Sequence, residues 1–254
     1  MAAPSTLDLG AGRRLAYHST PADGAGNRPA GVVFLGGFRS DMTGTKAVHL
    51  EAWARATGRA FLRFDYRGHG ASSGTFEEGA IGDWADDARE VLMRLTEGPQ
   101  ILVGSSMGGW IALLLARALP SRVAALVGIA AAPDFTEDSM WASFGPAERA
   151  ALEAEGQVAL PSDYSDDPYV ITRRLIEEGR ENLILRSPLQ LPFPVRLLHG
   201  TADTDVPVER GLLLLDHMDC PDARLVLVKD ADHRFSGPEE LDLITATIEA
   251  LPLG

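Results

Sequence analysis

Gln100-Ile-Leu-Val-Gly104-Ser-Ser106-Met-Gly108-Gly-Trp110-Ile-Ala-Leu-Leu-Leu115 joins a short apolar run to a longer apolar stretch that ends at Pro120. Gln100 to Gly104 reads as a buried strand and Met107 to Leu119 as a helix, with a glycine-serine turn between them. The pentapeptide Gly104 to Gly108 fits G-x-S-x-G, a string frequent enough by chance to mean little alone. Set between a buried strand and a helix, it fits the strand–turn–helix that a nucleophile elbow requires. Flanking glycines let the main chain take a strained turn that lifts the Ser106 hydroxyl above the sheet.

The same alternation continues on both sides. Gly31 to Leu35, Ala60 to Phe64, Val123 to Ile129, Val195 to His199 and Arg224 to Val228 read as further strands. Between them Thr45 to Thr57, Ile81 to Leu95, Val208 to Met218 and Pro238 to Leu251 carry helical patterns. In the first of these helices Val48, Trp53 and Ala56 are expected to share one face. Thr6 to Leu9 and Arg14 to His18 are short amphipathic pieces placed as an antiparallel edge pair. Strands alternating with helices imply βαβ units and a largely parallel sheet, so the fold class is a doubly wound α/β sheet with helices on both faces.

From Pro133 to about Pro194 the rhythm breaks. Helical stretches around Pro146 to Glu155 and Pro168 to Glu181, separated by Pro161 and the acidic Ser165-Asp-Asp167, replace the strands. Residues 1–133 and 191–254 are therefore the core, and 134–190 a helical lid. The insertion follows a strand end, where open α/β sheets carry their ligand sites. Its apolar residues Phe135, Met140, Trp141, Phe144, Tyr164, Tyr169, Ile171 and Ile176 would give the lid an apolar underside.

Composition narrows the function classes. The 254 residues are 45% hydrophobic and 23% charged, ordinary for a folded protein, and the formal charge of −13 disfavours nucleic acid and anionic membrane surfaces. A single cysteine, Cys220, excludes an intrachain disulfide framework and a thiolate zinc site. No run is long and apolar enough for a membrane span, and Met1 to Gly12 reads neither as a signal peptide nor as an Arg-rich presequence. A cytoplasmic location is expected.

A serine hydroxyl needs a base, and the base an orienting acid. His18, His49 and His217 lie in patterns that put them on solvated surface, whereas His69, His199 and His233 sit where a loop can reach the carboxyl edge of the sheet. In nucleophile-elbow enzymes the chain order is serine, acid, histidine, with the histidine after the last strand, and that order favours His233. In Leu198-His-Gly-Thr-Ala-Asp203-Thr-Asp205-Val-Pro207, Asp203 on the loop crest is favoured; Asp205, leading into the next helix, and Asp134, after an earlier strand, are the alternatives. An oxyanion needs two backbone N–H donors. Met107 is one, and Phe38, or less well Gly37, is the other. Gly37, Trp141 and Phe144 are expected to meet substrate. Arg39, Arg173 and Arg174 are read as solvated, with a substrate carboxylate as the alternative.

Gly-Ser-Ser106-Met-Gly-Gly, Phe64-Asp-Tyr-Arg-Gly-His-Gly70 with Ser72, His199-Gly-x-x-Asp203-x-x-Val-Pro207 and Asp232-His233 together resemble the α/β-hydrolase superfamily. More narrowly, Phe34-Leu-Gly-Gly-Phe-Arg-Ser-Asp-Met-Thr-Gly-Thr-Lys-Ala47, the Trp110 elbow and the 97- and 30-residue spacings from Ser106 to Asp203 to His233 are similar to a mitochondrial branch of palmitoyl-protein thioesterases and acyl-glucuronide esterases. Met1 to Gly12 is not expected to serve as the targeting presequence that the branch carries, and Gly36-Gly37-Phe38 stands where the branch has a Pro-Gly-Tyr-like loop. The resemblance implies an acyl-enzyme mechanism on Ser106, His233 and Asp203 without metal or cofactor. It also implies a small-molecule or acylated-protein ester or thioester as substrate; a short or medium acyl group is the separate expectation for this chain. Carbon–carbon hydrolases and perhydrolases use the same triad, and a non-catalytic binding protein of the same fold is the reading from another function class.

Overall fold

In the computed structural model, which describes residues 3–23, 30–160 and 168–253, the two amphipathic pieces at the start pair antiparallel as β1 (Ser5–Asp8) and β2 (Arg14–Thr20). The alternating part follows as β3 (Val32–Leu35), α1 (Thr45–Thr57), β4 (Phe61–Phe64), α2 (Ile81–Leu95), β5 (Gln100–Ser105), α3 (Met107–Ala118) and β6 (Val123–Ile129). Next come α4 (Pro146–Glu155), β7 (Gln157–Leu160), β8 (Tyr169–Thr172), α5 (Arg173–Glu181) and β9 (Leu189–Gln190). The chain closes with β10 (Val195–Gly200), α6 (Val208–His217), β11 (Met218–Asp219), β12 (Ala223–Val228) and α7 (Pro238–Glu249).

Eight strands form the main sheet in the order β1-β2-β4-β3-β5-β6-β10-β12. All its pairings from β4 to β12 are parallel. Successive side chains of a strand point to opposite faces, and β3 shows the consequence. Val33 and Leu35 pack on the side of α2 and α3, and Val32 and Phe34 on the side of α1 and α7. After β3 the chain first adds β4 on one side and later β5 on the other. The strand order therefore reverses between β3 and β5, the switch point at which open α/β sheets bind ligands beyond the strands' carboxyl ends. β5 ends there at Ser105.

α1 has the expected bounds but turns a different face inward. Ala47, Leu50, Glu51 and Ala54 are buried, whereas Ala56 is exposed and Trp53 is half-buried, donating from Nε1 to Glu249 at 2.8 Å. The cause is Arg63, a charged side chain on a fully buried strand. Its guanidinium, 2% exposed, binds Glu51 at 2.6 Å, so the helix must present its carboxylate to the sheet. Glu51 stays ionised although burial opposes it, because Arg55 and Arg63 bind it and hold its carboxyl below the ordinary range. Glu51→Leu leaves a buried guanidinium without its anion and is expected to cost about 3–5 kcal/mol in urea unfolding. Adding Arg63→Met to that variant should return most of the loss, because two apolar groups replace an ion pair cheaply.

The segment between β6 and β10 is not purely helical. A π-helical turn, Thr136–Trp141, and α4 lead into an antiparallel hairpin of β7 and β8. The helix expected from Pro168 therefore starts only at Arg173. Tyr169-Val-Ile-Thr172 is β-branched and aromatic and extends more readily than it coils. Thr172 then caps α5, its Oγ1 accepting from Leu175 N at 3.1 Å. Pro161, Tyr164 and Ser165 to Asp167 lie outside the described residues. Both ends of the insertion meet at Asp134, fully buried, whose carboxylate accepts from Ile184 N at 2.8 Å and Leu185 N at 3.0 Å and pairs with Arg186 at 3.3 Å. No helix among the described residues is long and apolar enough to cross a membrane.

Candidate active site

Ser106 follows β5 directly and precedes α3, with φ +54° and ψ −119°, a conformation that costs a non-glycine residue energy. Glycines make the close approach possible. A Cβ on Gly104 would lie 2.3 Å from Gly108 O, and one on Gly108 would lie 2.1 Å from Leu35 O. With nothing larger at these positions, the elbow packs against both β3 and its own helix. The Gly36–Phe38 loop after β3 comes beside it, a Cβ on Gly37 reaching Ser106 Cβ at 3.5 Å. Met107 opens α3, so its N–H is among the first-turn amides without an acceptor inside the helix.

His233, on the loop between β12 and α7, reaches the serine from the far side. Its Nε2 lies 3.0 Å from Ser106 Oγ and its Nδ1 2.8 Å from Asp203 Oδ2. A carboxylate only accepts, so Nδ1 carries the proton of the neutral ring and Nε2 accepts from the hydroxyl. Asp203, after β10, is fixed by its other oxygen, which accepts from Asp205 N at 3.0 Å and Val206 N at 2.8 Å. Burial would raise its pKa, but the bonds from His233 and Val206 and the nearby imidazoles hold it below the ordinary carboxylate range.

The other candidates of the sequence fall elsewhere. Asp134 is occupied at the root of the insertion, as described. Asp205 lines the cavity, and the residue at the N-cap of α6 is Pro207. His199 is buried under the loop, its Nε2 donating to Val206 O at 2.8 Å and lying 3.4 Å from Asp203 Oδ2. His69 is enclosed by Tyr66, Phe76 and Trp84, and burial pushes its pKa down to about 4.

A cavity of about 450 Å³ opens over Ser106. Gly37, Phe38, Phe135, Met140, Tyr169 and Val206 are among its apolar walls. Trp141 and Phe144, expected to meet substrate, do not line it. Trp141 is held between the guanidinium groups of Arg149 and Arg180, each 4.7 Å from its ring, and Phe144 packs edge-on against Trp141 at 6.2 Å. The π-helical turn directs Ser139 and Met140 to the cavity and leaves these two aromatics within the insertion. Phe135 and Tyr169 take the expected place. Phe135 had a sequence signal, since it lies three residues past Ala132 at the carboxyl side of β6.

Charged groups also reach this cavity. Arg39 lies over the Phe76 ring at 4.6 Å and pairs with Glu77 at 2.9 Å, and Arg210 pairs with Asp138 at 3.0 Å. Arg173 and Arg174 are not in its walls, and Arg174 pairs with Asp83 at 2.6 Å. Lys46, Ser40, Arg210 and Arg234 are wall residues that the reading of the sequence did not single out as site residues.

A strained serine at a switch point, hydrogen-bonded through a histidine to a buried aspartate, is an arrangement that also occurs in known proteins. The sequence profile of the alpha/beta hydrolase family matches residues 32–242. The chain belongs to that family. It is 41% identical over 223 residues to the mouse mitochondrial palmitoyl-protein thioesterase ABHD10, covering 87% of this chain and 74% of the relative. The human ABHD10 is 37% identical over 225 residues, with 87% and 72% covered. Among solved structures, mouse alpha/beta hydrolase domain-containing protein 10 superposes with a TM-score of 0.88 at 36% identity, over 98% of this chain and 97% of that one. A protein from Agrobacterium vitis S4 superposes with a TM-score of 0.91 at 41% identity, over 97% of both chains.

Proposed function

We propose that this alpha/beta hydrolase cleaves carboxylic esters or thioesters by an acyl-enzyme route, with Ser106 as nucleophile, His233 as general base and Asp203 as the orienting acid. The observation that carries the reading is the unbroken hydrogen-bonded line from Ser106 through His233 to Asp203, at the carboxyl end of β5 and open to the cavity. His233 takes the hydroxyl proton as Ser106 attacks the acyl carbon, and the N–H groups of Met107 and Phe38 receive the oxyanion. The proton then passes to the leaving oxygen or sulfur. A water activated by His233 releases the acid and restores the serine. Residues 134–190 act as the lid that selects the acyl group, with Phe38, Gly37, Phe135 and Met140 facing it.

The similarity to palmitoyl-protein thioesterases supports an acylated substrate, either a small molecule or a protein. The charged side chains in the cavity wall, Arg39, Lys46 and Arg210, favour a short or medium acyl chain over palmitate. A p-nitrophenyl ester series from acetate to palmitate, with matching thioesters, tests this. The expected profile peaks at short to medium chains and falls towards palmitate. A rise through the series to palmitate would replace the chain-length proposal with a long-chain one. No hydrolysis of any member by folded protein would overturn the reading as a whole. Cytoplasmic location is likewise proposed, against mitochondrial names among the relatives, and fractionation of the source cells decides it.

A further inference from the structure

The chain holds only two lysines, Lys46 and Lys229, against 21 arginines. One of the two is in the cavity wall together with Ser106 and His233. Lys46 is the second residue of α1, where the positive end of the helix dipole disfavours a cation, and no acidic residue in the first turn offsets this. The helix dipole does not explain a lysine there. Its contacts do.

The half-buried Lys46 ammonium crosses 188 positions of sequence to donate to the backbone carbonyl of Arg234, the residue after His233. It also lies 3.4 Å from Ser236 Oγ, whose hydroxyl donates to the same carbonyl at 2.7 Å. α1 is reached from the Gly36–Phe38 loop through residues 39–44, so Lys46 links the segment behind the proposed oxyanion donor to the loop of the proposed base. The loop needs such a tie, because Phe235, at φ +47°, holds a strained conformation directly after Arg234.

We infer that Lys46 is a positioning residue: its protonated amine pins the loop that carries His233, and loss of that proton at alkaline pH loosens the base from Ser106. The inference rests on the proposed ester or thioester hydrolysis. A charged donor to a carbonyl is roughly twice as strong as a neutral one, so the tie weakens when the amine is neutral. Burial lowers the pKa of Lys46 from 10.5 to about 8; Asp232 raises it and Arg234 lowers it further. Arg39, Tyr169, Asp205, Arg210, His233 and Arg234 are the other charged or titratable groups around the same cavity. A guanidinium does not lose its proton in this range. Position 46 is thus among the few cationic sites of the chain able to switch charge near neutral pH.

Profiles of kcat and KM between pH 6 and 10 for wild type, Lys46→Arg and Lys46→Met test this, on the best ester of the series. In the wild type kcat should fall as pH rises through about 8, with KM nearly constant. Lys46→Met should lose roughly 10- to 100-fold in kcat, the scale of a misplaced catalytic group, with no step near pH 8. Lys46→Arg should recover most of that loss and also lack the step. A wild-type kcat in Lys46→Met, or a step near pH 8 that survives in Lys46→Arg, would overturn the inference.

A substrate-free measurement separates this from the hydrolase reading. Lysine-labelled protein gives two side-chain signals in NMR, and the one lost in Lys46→Arg should titrate near pH 8. The His233 ring signal, assigned by its loss in His233→Gln, should shift with the same midpoint. If Lys46 titrates in the ordinary range, or the ring does not follow it, the positioning role fails even when Ser106 hydrolyses esters. If the two titrate together while no ester is cleaved, the tie stands and the proposed reaction falls.

Discussion

Ser106→Ala is expected to lower kcat for ester hydrolysis by roughly 10⁶-fold, the scale at which serine hydrolases lose their nucleophile. Alanine suffers no more than serine at φ +54°, and the glycines at 104 and 108 that admit the turn are untouched. The variant should therefore unfold at nearly the wild-type denaturant concentration. On the proposed route no acyl-enzyme forms without Oγ, and the remaining rate is what the proposed N–H donors and the cavity give to attack by water. Progress curves with the best p-nitrophenyl ester measure the loss, and labelling with a fluorophosphonate should vanish in parallel. A variant that keeps a tenth of wild-type activity would place the nucleophile elsewhere and remove the acyl-enzyme route.

The fold around this serine was legible because its signals are local and strong. Buried parallel strands such as Gln100–Ser105 are short continuous apolar runs, and Met107–Ala118 is too apolar to lie on a surface. Ser106, Asp203 and His233, picked out by the chain order that accompanies a nucleophile elbow, meet in the structure because each follows a strand that ends at the same edge of the sheet. What failed depended on neighbours that no window of sequence contains. The buried face of α1 was not legible because Glu51 is buried to meet Arg63, twelve residues away on β4. Hydrophobic periodicity has no way to place a charge inside.

The insertion was the least legible part, and the reason is again physical. Its antiparallel pair joins Gln157–Leu160 to Tyr169–Thr172, each arm too short to stand out from a helical pattern. Trp141 and Phe144 are large and apolar and were expected to face substrate on that ground. Two arginines can cover an indole as well as a lid can, and Arg149 and Arg180 do so. Lys46 was visible inside the motif that carried the resemblance. Its partner, the carbonyl of Arg234, is a main-chain atom and leaves no mark in the sequence.

Asp203→Asn is expected to lower kcat by about 10⁴-fold at neutral pH with KM little changed, as loss of the orienting carboxylate does in this chemistry. The amide oxygen can still accept from Asp205 N and Val206 N, so the loop keeps its shape. The amide nitrogen, however, turns a donor towards His233 Nδ1. The ring then protonates at Nε2, which no longer accepts from Ser106. The pH behaviour has a definite sign. The carboxyl of folded Asp203 lies below the ordinary range, so its stabilising charge is complete above the unfolded value near 3.9 and is lost only as pH falls through the lower, folded one. Any loss of wild-type activity between pH 5 and 7 therefore belongs to a group other than Asp203. If Asp203→Asn costs less than tenfold, the orienting acid is a different residue. Asp205 is then the next candidate, because it lines the same cavity while Asp134 is committed to Ile184, Leu185 and Arg186.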